Sequence, residues 1–560
     1  MVKRVFHLVY REVRGLHQAA YILALFALGS QLLAVVRDRL LAHNFGAGGE
    51  LDLYYAAFRI PDLLYVLFAS VLSIYVLLPF VNRAVEEKGA IAGMSVLSQV
   101  FTLFLWAYVA IAGVLALFAP MYVSLVFPGF TGRYEELTIL LQLLLLQPLL
   151  LGISSLFGVV TQMNHRFVLY ALSPLLYNIG IIFGIIALYP IFGLMGLVIG
   201  VVLGAIGHML VQLPFVAKSE YAFSLVPRIN STLMRQILAV SIPRALTLSV
   251  NQIVLLILIG MASVMAVGSV SVFQFAFNLQ SVPLAIIGVS YSVAAFPTLS
   301  TLFAQRDQQG FNTQLLTALR HIIFWSIPII GLVIVLRAQI VRVLLGSGAF
   351  DWSDTRLTAA MLAIFVISLV AQAILLLLVR AFYAGGKTLL PLVVALGSGI
   401  VSILVAVFLQ GLYLHSPEIQ QYFDSLLRLE KVLGSEVLML ALAFVCGQFL
   451  QLAVLLAVSV RTFSISYRPL GWLVIESLLA AAAGGITAYI TLAFLVDGIN
   501  QETFIGIMIQ GVVAGAMGFI AVVLTYLATG APELREVFRS FQVKLLKTEV
   551  LAPQEEQTRD

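Results

Sequence analysis

The stretch AVVRDRLLAHNFGAGGELDLYYAAFRIPDLL, residues 34–64, sets Arg37, Asp38, Arg39, Asp52, Arg59 and Asp62 between two strongly apolar runs. In a soluble chain it would be a surface loop, but its surroundings exclude that. Of 560 residues, 61% are hydrophobic and 10% charged, and the mean hydropathy is +1.07. A soluble protein of this length needs far more polar surface to cover its core. Apolar runs of roughly 20 residues, enough to cross a bilayer, recur from near residue 19 to near residue 528. The class is an all-α polytopic membrane protein, and the quoted stretch lies among its first spans.

The apolar runs give about 14 transmembrane helices, near 19–36, 53–81, 93–122, 136–162, 167–189, 192–216, 233–262, 269–303, 316–345, 357–384, 388–413, 436–460, 469–495 and 503–528. Basic residues fall in every second connection, among them Lys3, Arg4, Arg83, Lys88, Arg166, Lys218, Arg228, Arg306, Lys387, Arg461, Arg468, Arg535 and Arg539. The connections near 189–192, 263–268 and 496–502 carry no lysine or arginine. The positive-inside rule then puts both termini in the cytoplasm. The basic, partly amphipathic segment 1–18 reads as a cytoplasmic interfacial segment and 531–560 as a cytoplasmic tail that begins as an interfacial helix. Residues 415–436 form an external, partly helical excursion.

Internal repetition organises the spans. FGAGGELDLYYAAFRIPDLLYVLFASVLSIYVLLPFVNR, 45–83, resembles VGSVSVFQFAFNLQSVPLAIIGVSYSVAAFPTLSTL, 267–302, in its Gly-rich entry, its aromatic/alanine segment and a later proline, Pro79 or Pro297. A weaker echo pairs 159–176 with 379–394. The expectation is two pseudo-symmetric six-helix lobes, 19–217 and 232–460, around a central cavity, followed by two further helices within 469–528. Repeated lobes with a site between them are a common transporter plan.

Enzyme chemistry finds no support in the sequence. The GGKT at 385–388 lacks the first glycine of a phosphate-binding loop, since position 381 is alanine. The seven histidines are scattered without an HxxxH pair, so no metal site and no cofactor is expected. The one cysteine, Cys446, reads as a small packing residue. The net charge of +5 follows membrane orientation and points to membrane lipids as partners, not to nucleic acid.

The intramembrane charges carry the function. A charge at mid-bilayer costs roughly 2.5–3.5 kcal/mol on insertion scales, so such residues face a cavity or a partner. Arg59 lies inside the second span beside Pro61, and a proline frees a carbonyl one turn earlier and opens a polar face there. The alternatives at this point are solvated helix-end charges in an external loop 37–52, or Arg37 and Arg59 in a central cavity with Asp38 or Asp52 holding them. Arg39 is placed to snorkel outward. Arg244 follows Pro243 on the seventh span and repeats the pairing of proline with arginine, with cytoplasmic snorkelling as its alternative. Glu476 is a lone acid on the thirteenth span, near the interface. Asn251, Gln252, Gln274, Asn278 and Gln280 form a neutral polar stripe in the second lobe. Arginines with few acids select an anion, and guanidinium forks match phosphate oxygens in pairs.

With these residues in view, RDRLLAHNFGAGGELDLYYAAFRIPDLL is similar to the first-helix signature of the MurJ/MviN lipid II flippases, within the multidrug/oligosaccharidyl-lipid/polysaccharide exporter superfamily. The stretches at 268–300, 344–362 (LLGSGAFDWSDTRLTAAML) and 380–392 (RAFYAGGKTLLPL) resemble the family as well and occur in its order. The resemblance implies export of an undecaprenyl-diphosphate-linked peptidoglycan precursor across the bacterial cytoplasmic membrane by alternating access. It implies cavity arginines on the diphosphate, a lipid-tail groove on the last two spans, and a monomer. Arg37, Asp52 and Arg59 match functional positions of the family. Gln31, Tyr65 and Asn278 stand where it usually has basic residues, and the seventh span lacks the acid of sodium-linked members. Each missing cation removes a charged hydrogen bond worth roughly 1.5–3 kcal/mol. The alternatives to a lipid II flippase are a same-fold exporter of another lipid-linked polysaccharide unit, an ion-coupled solute transporter, and a non-transporting scaffold.

Overall fold

The computed structural model describes residues 16–219, 223–226, 229–430, 432–495, 498, 500 and 503–546. Most of the expected interfacial segment 1–18, the basic residue Arg228 and the end of the tail beyond residue 546 lie outside the described residues.

Every regular element among the described residues is helical. In chain order these are α1 (Leu16–Phe45), α2 (Gly49–Lys88), α3 (Ala90–Val126), α4 (Tyr134–Met163), α5 (Phe167–Phe192), α6 (Leu194–Val216), α7 (Ser231–Ser263) and α8 (Ser269–Ala304). They continue with α9 (Gln308–Leu344), α10 (Trp352–Ile367 and Leu369–Ala384), α11 (Leu389–His415), α12 (Pro417–Leu427), α13 (Ser435–Phe463), α14 (Leu470–Leu495), α15 (Phe504–Thr529) and α16 (Pro532–Leu546). Twelve of them are long and apolar enough to cross a membrane, and α10, bent by 42° at Ser368, makes a thirteenth. The expected first span, 19–36, falls on α1, a helix of 30 residues.

The breaks have local causes. Pro61 has no N–H to give the carbonyl of Ala57, and the helical pattern of α2 is interrupted at Phe58. A second interruption follows at Leu72–Ser73, where Ser73 is extended. The loop 37–52 weighed above does not form. Helix α1 continues through Phe45, so Arg37, Asp38 and Arg39 are helical, and only residues 46–48 join α1 to α2.

The chain divides into two compact units: 1–279, 341–365 and 386–451 in the first; 280–340, 366–385 and 452–560 in the second. In the first, α1 packs on α5, α5 on α6, the middle segment of α2 on α7, and α7 on α11. Helices α5 and α6 meet through glycines: a Cβ on Gly180 would lie 2.3 Å from the Cα of Gly204, and one on Gly200 would lie 2.4 Å from the Cα of Gly184. Small residues at such a crossing let two membrane helices approach backbone to backbone.

In the second unit α14 lies along α15. The hydroxyl of Tyr526 on α15 reaches the carbonyl of Phe324 on α9 at 2.8 Å and the Oγ of Ser477 on α14 at 2.9 Å. Arg320 on α9 donates to Glu533 at the start of α16 at 2.6 Å. Glu476 is buried one turn into α14, where it accepts from the indole of Trp472 at 2.8 Å. Cys446 is not the packing residue the sequence suggested: it lies on the exposed face of α13.

Candidate substrate-binding site

The charges of the quoted stretch separate into two groups in the first unit. The C-terminal half of α1 carries Arg37, whose Nε donates to Asp38 Oδ1 at 2.8 Å, with Nη2 2.7 Å from the same oxygen. Its Nη1 donates to Asn178 Oδ1 on α5 at 3.3 Å. Asn178 in turn donates to the Oγ of Ser30 at 3.2 Å and to the carbonyl of Pro174 at 3.1 Å. The guanidinium is thus held flat between an acid on its own helix and an amide on the neighbouring one.

The other oxygen of Asp38 accepts from Asn278 Nδ2 on α8 at 3.1 Å. Asn278 Oδ1 accepts from Gln274 Nε2 at 2.6 Å, and Gln274 Oε1 accepts from Arg59 Nη2. One unbroken run of hydrogen bonds therefore links Asn178, Arg37, Asp38, Asn278, Gln274 and Arg59. Five of these, Arg37, Asp38, Arg59, Asn278 and Gln274, are residues the sequence singles out. Arg59 is only 6% exposed and its Nε has no partner, and Asp62, one turn on, is its electrostatic counterpart. A buried cation with donors to spare is an uncommon arrangement, because each unmet charged donor costs desolvation energy.

The remaining predicted residues sit apart from that run. Gln31 is half-buried two turns before Asp38 on the same side of α1. Tyr65 is hydrogen-bonded to Ser155 on α4. Arg244 is half-buried on α7 after Pro243. Arg39 donates to the carbonyl of Val343. In the polar stripe of the second half, Gln274 and Asn278 join the run, Asn251 is exposed, and Gln280 is buried with neither amide atom paired.

Asp52 belongs to the second group. Its Oδ2 accepts from Gly268 N at 2.6 Å, and its Oδ1 accepts from Ser271 N at 2.7 Å and Ser271 Oγ at 2.6 Å. These are first-turn donors of α8, which have no partner within their own helix, and an acid there also meets the positive end of the helix dipole. The same end is closed again by Asp354, whose Oδ2 accepts from Ala47 N at 3.0 Å, and by Ala349 N donating to His43 O at 2.9 Å. The fit is at backbone distance: a Cβ on Gly268 would come within 2.1 Å of the Ala47 carbonyl. Helices α1 and α2 are thereby sealed to α8 and to the start of α10, with the arginine run roughly 10 Å further along the helix axes.

Sequence reasoning missed Asn178, Asp354 and the direct grip of Gln274 on Arg59. A single asparagine in FVLYALSPLLYNIGIIF is itself a signal, since polar groups inside membrane helices bond across to other helices.

Residues 41–416 match the sequence pattern of the family described as "Lipid II flippase MurJ". The chain is 25% identical over 396 residues to the "Probable lipid II flippase MurJ" of Rickettsia prowazekii (strain Madrid E), covering 69% of this chain and 77% of the relative. It is 26% identical over 390 residues to the "Lipid II flippase MurJ" of Burkholderia cenocepacia, covering 67% and 75%. A solved structure of "Lipid II flippase MurJ, inward closed conformation" superposes with a TM-score of 0.69 at 22% identity, over 91% of this chain and 99% of that one. An inward-facing multidrug resistance MATE family transporter of the MOP superfamily gives 0.63 at 15% identity, over 78% and 94%. The fold is therefore that of the multi-helical transporters of this superfamily. Within it, the chain belongs to the MurJ family of lipid II flippases.

Proposed function

We propose that this protein carries lipid II, an undecaprenyl-diphosphate-linked peptidoglycan precursor, across the bacterial cytoplasmic membrane by alternating access. The observation that supports the reading is the run from Asn178 to Arg59, which joins an arginine of α1 to an arginine of α2 through one chain of hydrogen bonds. Membership of the MurJ family supplies the cargo class.

A diphosphate arriving at this run meets two different cations. Arg37 already shares its charge with Asp38, so the anion adds to an existing pair. Arg59 hydrogen-bonds a neutral amide with Asp62 as its electrostatic counterpart, and a phosphate oxygen replacing Gln274 turns that bond into one between opposite charges. Taking Asn278 and Gln274 away from Asp38 and Arg59 also removes this polar tie between α8 and helices α1 and α2, while the bonds of Asp52 and Asp354 remain. Binding and the first step of unlocking are one event in this mechanism. The seal made by Asp52 and Asp354 is the external gate, both termini are cytoplasmic, the lobes 19–217 and 232–460 part during the cycle, and the monomer is the working form.

The test is binding of the purified protein to a polyprenyl-diphosphate-linked sugar, compared with a polyprenyl sugar lacking the diphosphate. Diphosphate-selective binding, lost in Arg37→Ala and Arg59→Ala, is the expected result. Equal binding to both lipids, unchanged by the substitutions, would sink the proposal.

A further inference from the structure

On α11 a stripe of apolar side chains is turned outward at helical spacing: Ile400, Leu404, Val407 and Leu414 are each 58–61% exposed. On a span, that is the face meant for acyl chains. The stripe does not end with the span. The chain turns at Ser416, Pro417 opens α12 at a position where its missing N–H costs nothing, and Tyr422 and Leu426 are again 62% and 58% exposed. Leu433, just beyond, is 89% exposed.

The other side of α12 is polar. Gln420, Gln421, Asp424 and Ser425, with Pro417 and Glu430, line a recess of about 430 Å³. Asp424 on that side accepts from the buried hydroxyl of Tyr413 at 3.0 Å, and the same hydroxyl meets Ser435 Oγ at 2.8 Å. The polar residues Gln420, Gln421 and Ser425 are exposed too, while Ile419, Phe423 and Leu427 are half-buried, so α12 carries an outward apolar strip beside an outward polar one. A membrane interface suits such a helix, with the apolar strip toward acyl chains and the polar strip toward headgroups and water.

We propose that α12 lies in the interfacial zone of the bilayer, on the outer leaflet given the sidedness proposed above, with Tyr422, Leu426 and Leu433 in the acyl boundary. Lipid takes this face because it continues the lipid-facing stripe of α11, and insertion is chiefly apolar, since Glu418, Asp424 and Glu430 outnumber the neighbouring Arg428 and Lys431 in the sequence. The excursion is also fastened to the sealed end of the first unit. Arg356 donates to the carbonyl of Arg428, and Ala266 N donates to Glu436 at 3.2 Å.

The test uses the full-length protein with Cys446→Ser, and single cysteines placed by Leu426→Cys, Tyr422→Cys and Gln421→Cys. Each carries an environment-sensitive fluorophore in phosphatidylethanolamine/phosphatidylglycerol vesicles. The labels at 426 and 422 are expected to emit further to the blue than the label at 421, and brominated acyl chains to quench them several-fold more. Aqueous iodide is expected to quench the label at 421. Iodide quenching at 426 equal to that at 421, with brominated lipid without effect, overturns the proposal. Unlabelled Tyr422→Trp, read as the difference in brominated-lipid quenching from the parent, gives the same answer without a bulky probe. Reaction of the 421 cysteine with an impermeant maleimide in intact cells reads the leaflet separately. Lipid quenching at 426 without that reaction would refute the outer-leaflet assignment and the sidedness beneath it.

Discussion

Replacing Asp52 with alanine should open the seal between α2 and α8 without disturbing the arginine run. The carboxylate is the acceptor for two backbone N–H groups and one hydroxyl, each a charged hydrogen bond worth roughly 1.5–3 kcal/mol. The three share one group and are not additive, so the loss is about 3–5 kcal/mol to the sealed state. About 3 kcal/mol corresponds to a shift on the order of 100-fold. Asp52→Asn keeps one acceptor oxygen but turns an amide N–H₂ toward a backbone donor, so it should recover less than half. Hydrogen–deuterium exchange of the lipid-embedded protein reads this directly. The amides of Gly268 and Ser271 should exchange on the order of 100-fold faster in Asp52→Ala, while those of α14 keep the parent rate. Unchanged exchange at Gly268 and Ser271 would refute the reasoning, because some other group would then be satisfying the start of α8.

Other outcomes follow from the same structure. Asn178→Ala removes the tether on Arg37 and should cost about 1–2 kcal/mol in thermal unfolding, whereas Asn178→Asp adds a second carboxylate to that guanidinium and should weaken diphosphate-lipid binding about tenfold. Arg59→Lys keeps the charge but offers one nitrogen in place of the planar fork, so binding should fall although net charge is conserved; titration of the lipid-linked sugar checks it. Gly180→Leu has no room against α6 and should abolish monodisperse protein on size exclusion, while Gly113→Leu, where a Cβ meets nothing within 4 Å, should not. Tyr526→Phe leaves the Phe324 carbonyl and Ser477 without their shared hydroxyl and should lower stability by about 1–2 kcal/mol in a thermal melt.

Much of the architecture was legible in the sequence because bilayer thickness imposes a length and an apolar composition on every span. The prominence of Arg37, Asp38 and Arg59 was legible for the same reason, since charge in an apolar run must have somewhere to go. Pairings across the chain were less accessible. Arg59 and Gln274 are 215 residues apart, and no local periodicity says which amide of the stripe meets which arginine. The assignment of Asp52 depended on knowing that Gly268 begins a helix at that point in space. The run of α1 through Phe45 was hidden because RDRLLAHN looks polar in one dimension. In three, Asp38 is buried, Arg37 is held by Asn178, and Arg39 finds a carbonyl at Val343.

The hydrogen bonds between Asp38 and Arg59 have a direction. An ionised carboxylate accepts only, so Asn278 must present its nitrogen to Asp38 and its oxygen to Gln274. Gln274 is then obliged to point its nitrogen at Asn278 and its oxygen at Arg59, which donates only. The two amides are locked head to tail like aligned compass needles, with an anion fixing one pole and a cation the other. An oxyanion that captures Arg59 releases the last needle, and the one before it loses its reason to hold the carboxylate. If the proposed site holds an oxyanion, two amide rotations would carry that change from α2 to α1.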